Sequence, residues 1–251
     1  MAELKEINYQ EHGQLKVKAN AVINNASKNH LMQVRLQEVG SANANFPIFI
    51  IKHGHTGDWM LTALTSLQAD TNLFVQEGQW TATYQPISMQ THPLYLMKSP
   101  NNEKSYTAGI NPEADDFDTE SGQPLFESED KASIYMSRVS KLLENSIKQD
   151  IQTFEFMDKL EELQLLKNIE LSVVYADNSA QNLKGLYTID EDRLKTLTPE
   201  LVKEFVDNGY LSIMYGMLHS IYQLNAIIRK NNENTELKPI QKINIEVSKT
   251  A

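Results

Sequence analysis

Apolar and polar positions follow two different periods along this chain, and the change falls near residue 130. In the first half, Leu15, Val17 and Ala19 alternate with Lys16, Lys18 and Asn20, the period-two pattern of a half-buried strand. The spacing over Leu31–Val39 predicts a short helix, ended by Gly40-Ser41. Phe46–Lys52 and Trp59–Leu64 flank the turn cluster His53-Gly-His-Thr-Gly-Asp58 and predict a hairpin. Asn72–Val75 and Gln79–Tyr84 repeat that logic around Glu77-Gly78. His92–Lys98 and Lys104–Ile110 repeat it again around Ser99-Pro-Asn-Asn102.

From Lys131 to Leu166 the apolar residues Val139, Leu142, Leu143, Ile147, Ile151, Phe154, Leu160 and Leu163 keep helical spacing. That length predicts a break near Gln149–Gln152. Two strands are expected over Ile169–Tyr175 and Leu183–Ile189. Asp190 suits a helix cap, and Thr198-Pro199 combines a cap with proline at the first helical position. Gly209 closes that helix, and Tyr210–Lys230 predicts a long final one. In the tail, Ile243, Ile245 and Val247 alternate, which suits an edge strand or an oligomer contact. The reading is therefore α+β: an N-terminal antiparallel β-rich half packed with a mainly helical C-terminal half. Residues 1–130 form the first part, with an acidic loop at 111–130. Residues 131–231 form the helical part of the same module, and 232–251 the tail.

A chain of 251 residues with 41% hydrophobic and 22% charged positions can build a sizeable core. It has no cysteine, so disulfides, thiolate metal sites and a cysteine nucleophile are excluded together. The first residues carry acids and no apolar core, so no secretory leader is expected. The longest apolar run, Phe46–Ile51, falls far short of the ~20 residues that cross a bilayer. A soluble, cytoplasmic protein is expected. The net charge of −10 is local: residues 111–130 hold eight acids and no base, and the remainder is nearly balanced. A nucleic-acid binder needs clustered cations against phosphate, and none stand out. The acidic loop suits a basic protein partner instead.

Candidate sites are few. His53-Gly-His55 has a metal-ligand spacing, but it lies in a glycine-rich turn without further ligands, so a polar turn is the reading. Asp116, Asp118, Glu120 and Glu127 place oxygens at positions 1, 3, 5 and 12 of a calcium loop. Ser121 stands where that loop needs glycine, so a solvated acidic loop is the reading. No metal and no cofactor are expected. Tyr215, His219 and Tyr222 make a polar-tipped stripe beside Ser220 on the last helix; a satisfied core histidine accounts for it. The chain carries no nucleophile elbow, no phosphate-binding loop and no dinucleotide fingerprint.

The motifs His12-Gly-Gln-Leu15, Glu38-Val39, Phe46-Pro-Ile-Phe49, Asn72-Leu-Phe-Val75, Trp80, Tyr84-Gln-Pro86 and His92-Pro93 occur in that order. Gly122-Gln-Pro-Leu-Phe126, Leu183-Lys-Gly-Leu-Tyr187, Asp190-Glu-Asp-Arg-Leu194 and Gly209–Tyr215 with Leu218-His-Ser220 follow. Together they resemble the bacterial SapC-like family, over about Tyr9 to Lys230. This is not the membrane permease of the same name. The resemblance implies an accessory or interaction protein, associated with TonB-dependent uptake or a tryptophan-halogenase-like system, and supplies no catalytic residues. A protein partner is expected with it, and homo-oligomerisation stays open. The alternative is an enzyme or small-ligand binder with a pocket of His12, Glu38, Trp80, Tyr84, Tyr215 and His219.

Overall fold

The computed structural model describes residues 4–54, 56–100 and 102–248. The fold is α+β, with antiparallel sheets in the N-terminal half and a helical C-terminal region. The chain separates into two compact units, each assembled from several stretches.

The first unit gathers residues 4–27, 75–80 and 87–148. Its largest sheet orders Lys5–Glu6, Asn102–Ile110 and Tyr95–Ser99. A smaller sheet sets Lys16–Val17 between Phe117–Asp118 and Gln123–Pro124. The strand expected over 15–19 is therefore two residues long. Val75–Gln76 and Gln79–Trp80 close a hairpin through Glu77 and Gly78, whose φ angles of 50° and 72° give the mirror-image turn that two-residue loops favour. The core collects Leu94, Ile110, Leu125, Val139 and Leu143.

The second unit gathers residues 28–74, 81–86 and 149–248. Its sheet has six antiparallel strands: β1 (Leu31–Gln33), β2 (Ile48–Lys52), β3 (Trp59–Leu64), β4 (Leu166–Tyr175), β5 (Ala180–Ile189) and β6 (Ile240–Val247). Their order across the sheet is β6-β4-β5-β2-β3-β1. Ile48, Phe49 and Ile50 of β2 are all fully buried, so both faces of this strand are covered. Helix α1 (Ile134–Glu162) begins in the first unit and ends in the second. It is followed by α2 (Pro199–Asp207), α3 (Tyr210–Ser220) and α4 (Leu224–Glu233). Phe156, Phe205, Met214 and Met217 are buried here, each contributing on the order of 2 kcal/mol. Among the described residues no helix is long and apolar enough to cross a membrane.

Three local expectations are corrected. Leu31–Gln33 is a strand, because it pairs with Leu64, Ala63 and Thr62 of β3. Only Leu36–Glu38 and Val39–Ala42 turn helically after it. Helix α1 runs unbroken through residues 149–152, which include neither proline nor glycine. The final helix is not continuous: Ile221–Gln223 tightens to a 3-10 turn between α3 and α4. Just before it, the Ser220 hydroxyl donates back to the Met217 carbonyl at 2.6 Å, a bond that bends helices.

Candidate functional site

In the second unit a turn is fastened to helix α1 by an ion network. The Arg35 N–H donates to Oε2 of Glu38 at 3.0 Å, closing the turn over three residues. The guanidinium then forks onto Asp150 of α1, Nε to Oδ1 at 2.6 Å and Nη2 to Oδ2 at 3.3 Å. Tyr84 donates its phenolic hydrogen to Oε1 of Glu38 at 2.6 Å. The neighbouring Leu36 N–H donates to Thr153 Oγ1 at 3.0 Å, one helical turn from Asp150. Arg35 and Glu38 are both more than nine-tenths buried, and Arg35 Nη1 has no hydrogen bond although it lies 3.7 Å from Glu38. Burial, then the bond to Glu38 and its charge, push the Tyr84 phenol well above its ordinary pKa. It therefore stays a donor at any physiological pH.

Asp150 and Thr153 also line a cleft of about 260 Å³, together with Val34, Trp59, Met60 and Phe154. Trp59 is held edge-on against Tyr187 at 4.8 Å, and the Lys52 ammonium sits 4.4 Å over its ring. Phe154 is 51% exposed, and Ile151 on the same helix is 53% exposed. Large apolar side chains are thus presented to solvent beside a wall fixed by charge-assisted bonds.

In the first unit His92, 4% exposed, bridges two polar groups. Its Nδ1 lies 3.1 Å from the Tyr95 hydroxyl. Its Nε2 lies 3.0 Å from Asp116 Oδ1, off the line of a hydrogen bond. Burial and then the Asp116 charge raise the Tyr95 phenol above its ordinary pKa. The arrangement sets the Tyr95 hydroxyl against the buried imidazole.

Of the six residues singled out in the sequence, Glu38 and Tyr84 meet directly. Tyr215 and His219 are ring neighbours at 6.3 Å. His219 is nevertheless exposed, contrary to the core reading. The buried face of α3 runs through Met214, Met217 and Ser220, which leaves position 219 outward. His12 is buried in the first unit, where its Nδ1 accepts the Asn8 N–H at 3.2 Å. Trp80, also in that unit, is half-buried on the two-residue hairpin. Arg35, Asp150 and Asp116 were not singled out as members of such a site. Arg35 stands three residues before Glu38, a visible pairing, whereas nothing local marks Asp150.

For the metal readings, His53 Nδ1 lies 3.1 Å from the Thr56 hydroxyl, and His55 lies outside the described residues. Asp118 accepts the N–H groups of Thr119 and Glu120 and the Ser121 hydroxyl, which holds its carboxyl below the usual range. Among the described residues no three acidic or histidine side chains gather as a metal site.

The fold and the site together define an α+β protein with a buried arginine–carboxylate network. The profile of the SapC family matches residues 7–227, and the chain belongs to the SapC family. No curated protein and no solved structure matches it.

Proposed function

We propose that the chain is a cytoplasmic accessory protein that recognises a protein partner through the cleft beside Asp150. The observation that carries this reading is the pairing of a rigid polar wall with the exposed Phe154. At about 260 Å³ the cleft falls below the ~300–1,000 Å³ typical of small-molecule sites and suits one or two apolar side chains of a partner. Exposed aromatic anchors around a preformed pocket are the usual energetic centres of interfaces. Association with an uptake or modification system of the TonB-dependent or halogenase-like kind is compatible with this role. To test it, a photo-crosslinking amino acid replaces Phe154 in bacterial cells, with the same replacement at exposed Val206 as control. A discrete adduct from position 154, lost in the Trp59→Ala background, is expected. The same adduct pattern from both positions would overturn the reading.

A second reading, small-ligand chemistry in the first unit, is favoured by the Asp116–His92–Tyr95 cluster, since an imidazole and a phenol 3.1 Å apart can exchange a proton with a bound ligand. Ligand-observed NMR against a panel of small metabolites distinguishes it. A compound whose signal transfer disappears in Tyr95→Phe supports it, and the absence of any such compound sinks it.

A further inference from the structure

Strand β6 ends the sheet: its ladder partner is β4, and its outer edge has none among the described residues. Across that ladder Val247, Ile245 and Ile243 stand opposite Ile169, Leu171 and Val173. The three β4 residues are at most 3% exposed, yet Ile245 is 44% and Val247 61% exposed. The apolar face of the sheet therefore continues onto β6 beyond whatever covers it on β4. On the other face Glu246 stands opposite Glu170, a like-charge pair. Glu170 is already served by the Ser248 hydroxyl at 2.7 Å and Lys184 at 3.6 Å. Neither Glu246 nor Lys242 has an ion-pair partner among the described residues.

We propose that β6 pairs antiparallel with β6 of a second copy, about a two-fold axis through Asn244. The sequence Gln241-Lys-Ile-Asn-Ile-Glu-Val247 is self-complementary in that register alone. It sets Lys242 against Glu246 of the second copy, and Glu246 against its Lys242. Ile243 meets Ile245 on the opposite face, extending the apolar surface. Moving the axis one residue either way sets Lys242 against Asn244 or Ser248 and loses both charge pairs. An edge strand of eight residues without proline is otherwise an aggregation hazard, and closed two-fold pairing consumes it.

The experiment is sedimentation of the full chain with charge variants. Wild type is expected to be a dimer. Lys242→Glu and Glu246→Lys each replace two attractions by two repulsions and are expected to weaken dimerisation roughly 30-fold. Mixed together, the two variants are complementary again and should form a heterodimer; the doubly swapped chain should recover the homodimer. Circular dichroism establishes that each variant is folded, and Thr196→Ala, away from the strand, serves as the neutral control. A monomeric wild type, or single variants that dimerise as well as wild type, would overturn the proposal. Failure of the mixed variants to associate would overturn it equally.

Discussion

Tyr84 and Glu38, 46 residues apart, share a 2.6 Å hydrogen bond, and the other oxygen of the same carboxylate receives the Arg35 N–H. One buried carboxylate thus joins a loop, a turn and, through Arg35, helix α1.

Removing the carboxylate leaves Arg35 more than nine-tenths buried with only Asp150 opposite it. Glu38→Ala is expected to cost about 3 kcal/mol, because the Arg35 N–H and the Tyr84 hydroxyl both lose their acceptor, while Asp150 still balances the guanidinium. Tyr84→Phe removes one donor and is expected to cost about 1 kcal/mol. The double variant should lose clearly less than the sum, since both changes break the same bond. Urea denaturation of the four proteins measures this. Strict additivity would mean that the bond contributes nothing.

Gly122 has φ +119°, and a Cβ built on it would meet the Val17 carbonyl oxygen at 2.3 Å. The strand pair of Lys16–Val17 with Gln123–Pro124 depends on that close approach. Gly122→Ala is expected to destabilise the protein by more than about 1 kcal/mol, since alanine is incompatible with both the angle and the space. Hydrogen exchange at the Leu125 amide, which donates to the Leu15 carbonyl beside this pair, should accelerate first. Unchanged exchange there would show that the strand pair does not need glycine.

The elements legible in the sequence were those whose cause is local. The β2–β3 hairpin announces itself by a buried run, a glycine turn and a second run. Thr198 accepts the Leu201 N–H and precedes Pro199 at the helix start, as its position suggests. Residues 31–39 depart from the helix their spacing predicts because three of them pair with β3, and pairing outweighs spacing in so short a stretch. Asp150 was invisible as a site residue because its partner lies 115 positions away. Glu38 and Tyr84 were visible only through family resemblance, and their bond is a tertiary fact.

Tyr135 is 9% exposed, and burial pushes its phenol up to about 12 from an ordinary 10.0, with nearby Arg138 opposing the shift. Between those values the unfolded chain loses this proton before the folded one does. Folding stability from this group is thus full below about pH 10 and declines as pH rises toward about 12. Tyr84, Tyr95 and Tyr210 are raised as well, so the comparison must be differential. Tyr135→Phe should show a shallower loss of denaturation midpoint from pH 10 to 12 than wild type. Parallel curves would mean that Tyr135 ionises freely in the folded protein.

Asp177 turns the chain between β4 and β5, and its carboxylate accepts the hydroxyl and the N–H of Ser179 and a Lys238 ammonium proton at 3.0 Å. These bonds hold its pKa at about 2, against an ordinary 3.8. The ionised form is the one bonded in the fold, so its contribution is present above about pH 4 and disappears as pH falls toward 2. The group is exposed, which makes the midpoint itself the observable. A carboxyl-carbon NMR titration should place Asp177 near pH 2. In Lys238→Met the midpoint should rise, but only part of the way to 3.8, because Ser179 supplies the largest share of the depression. A wild-type midpoint close to 4 would show that the turn's hydrogen bonds are not formed in solution.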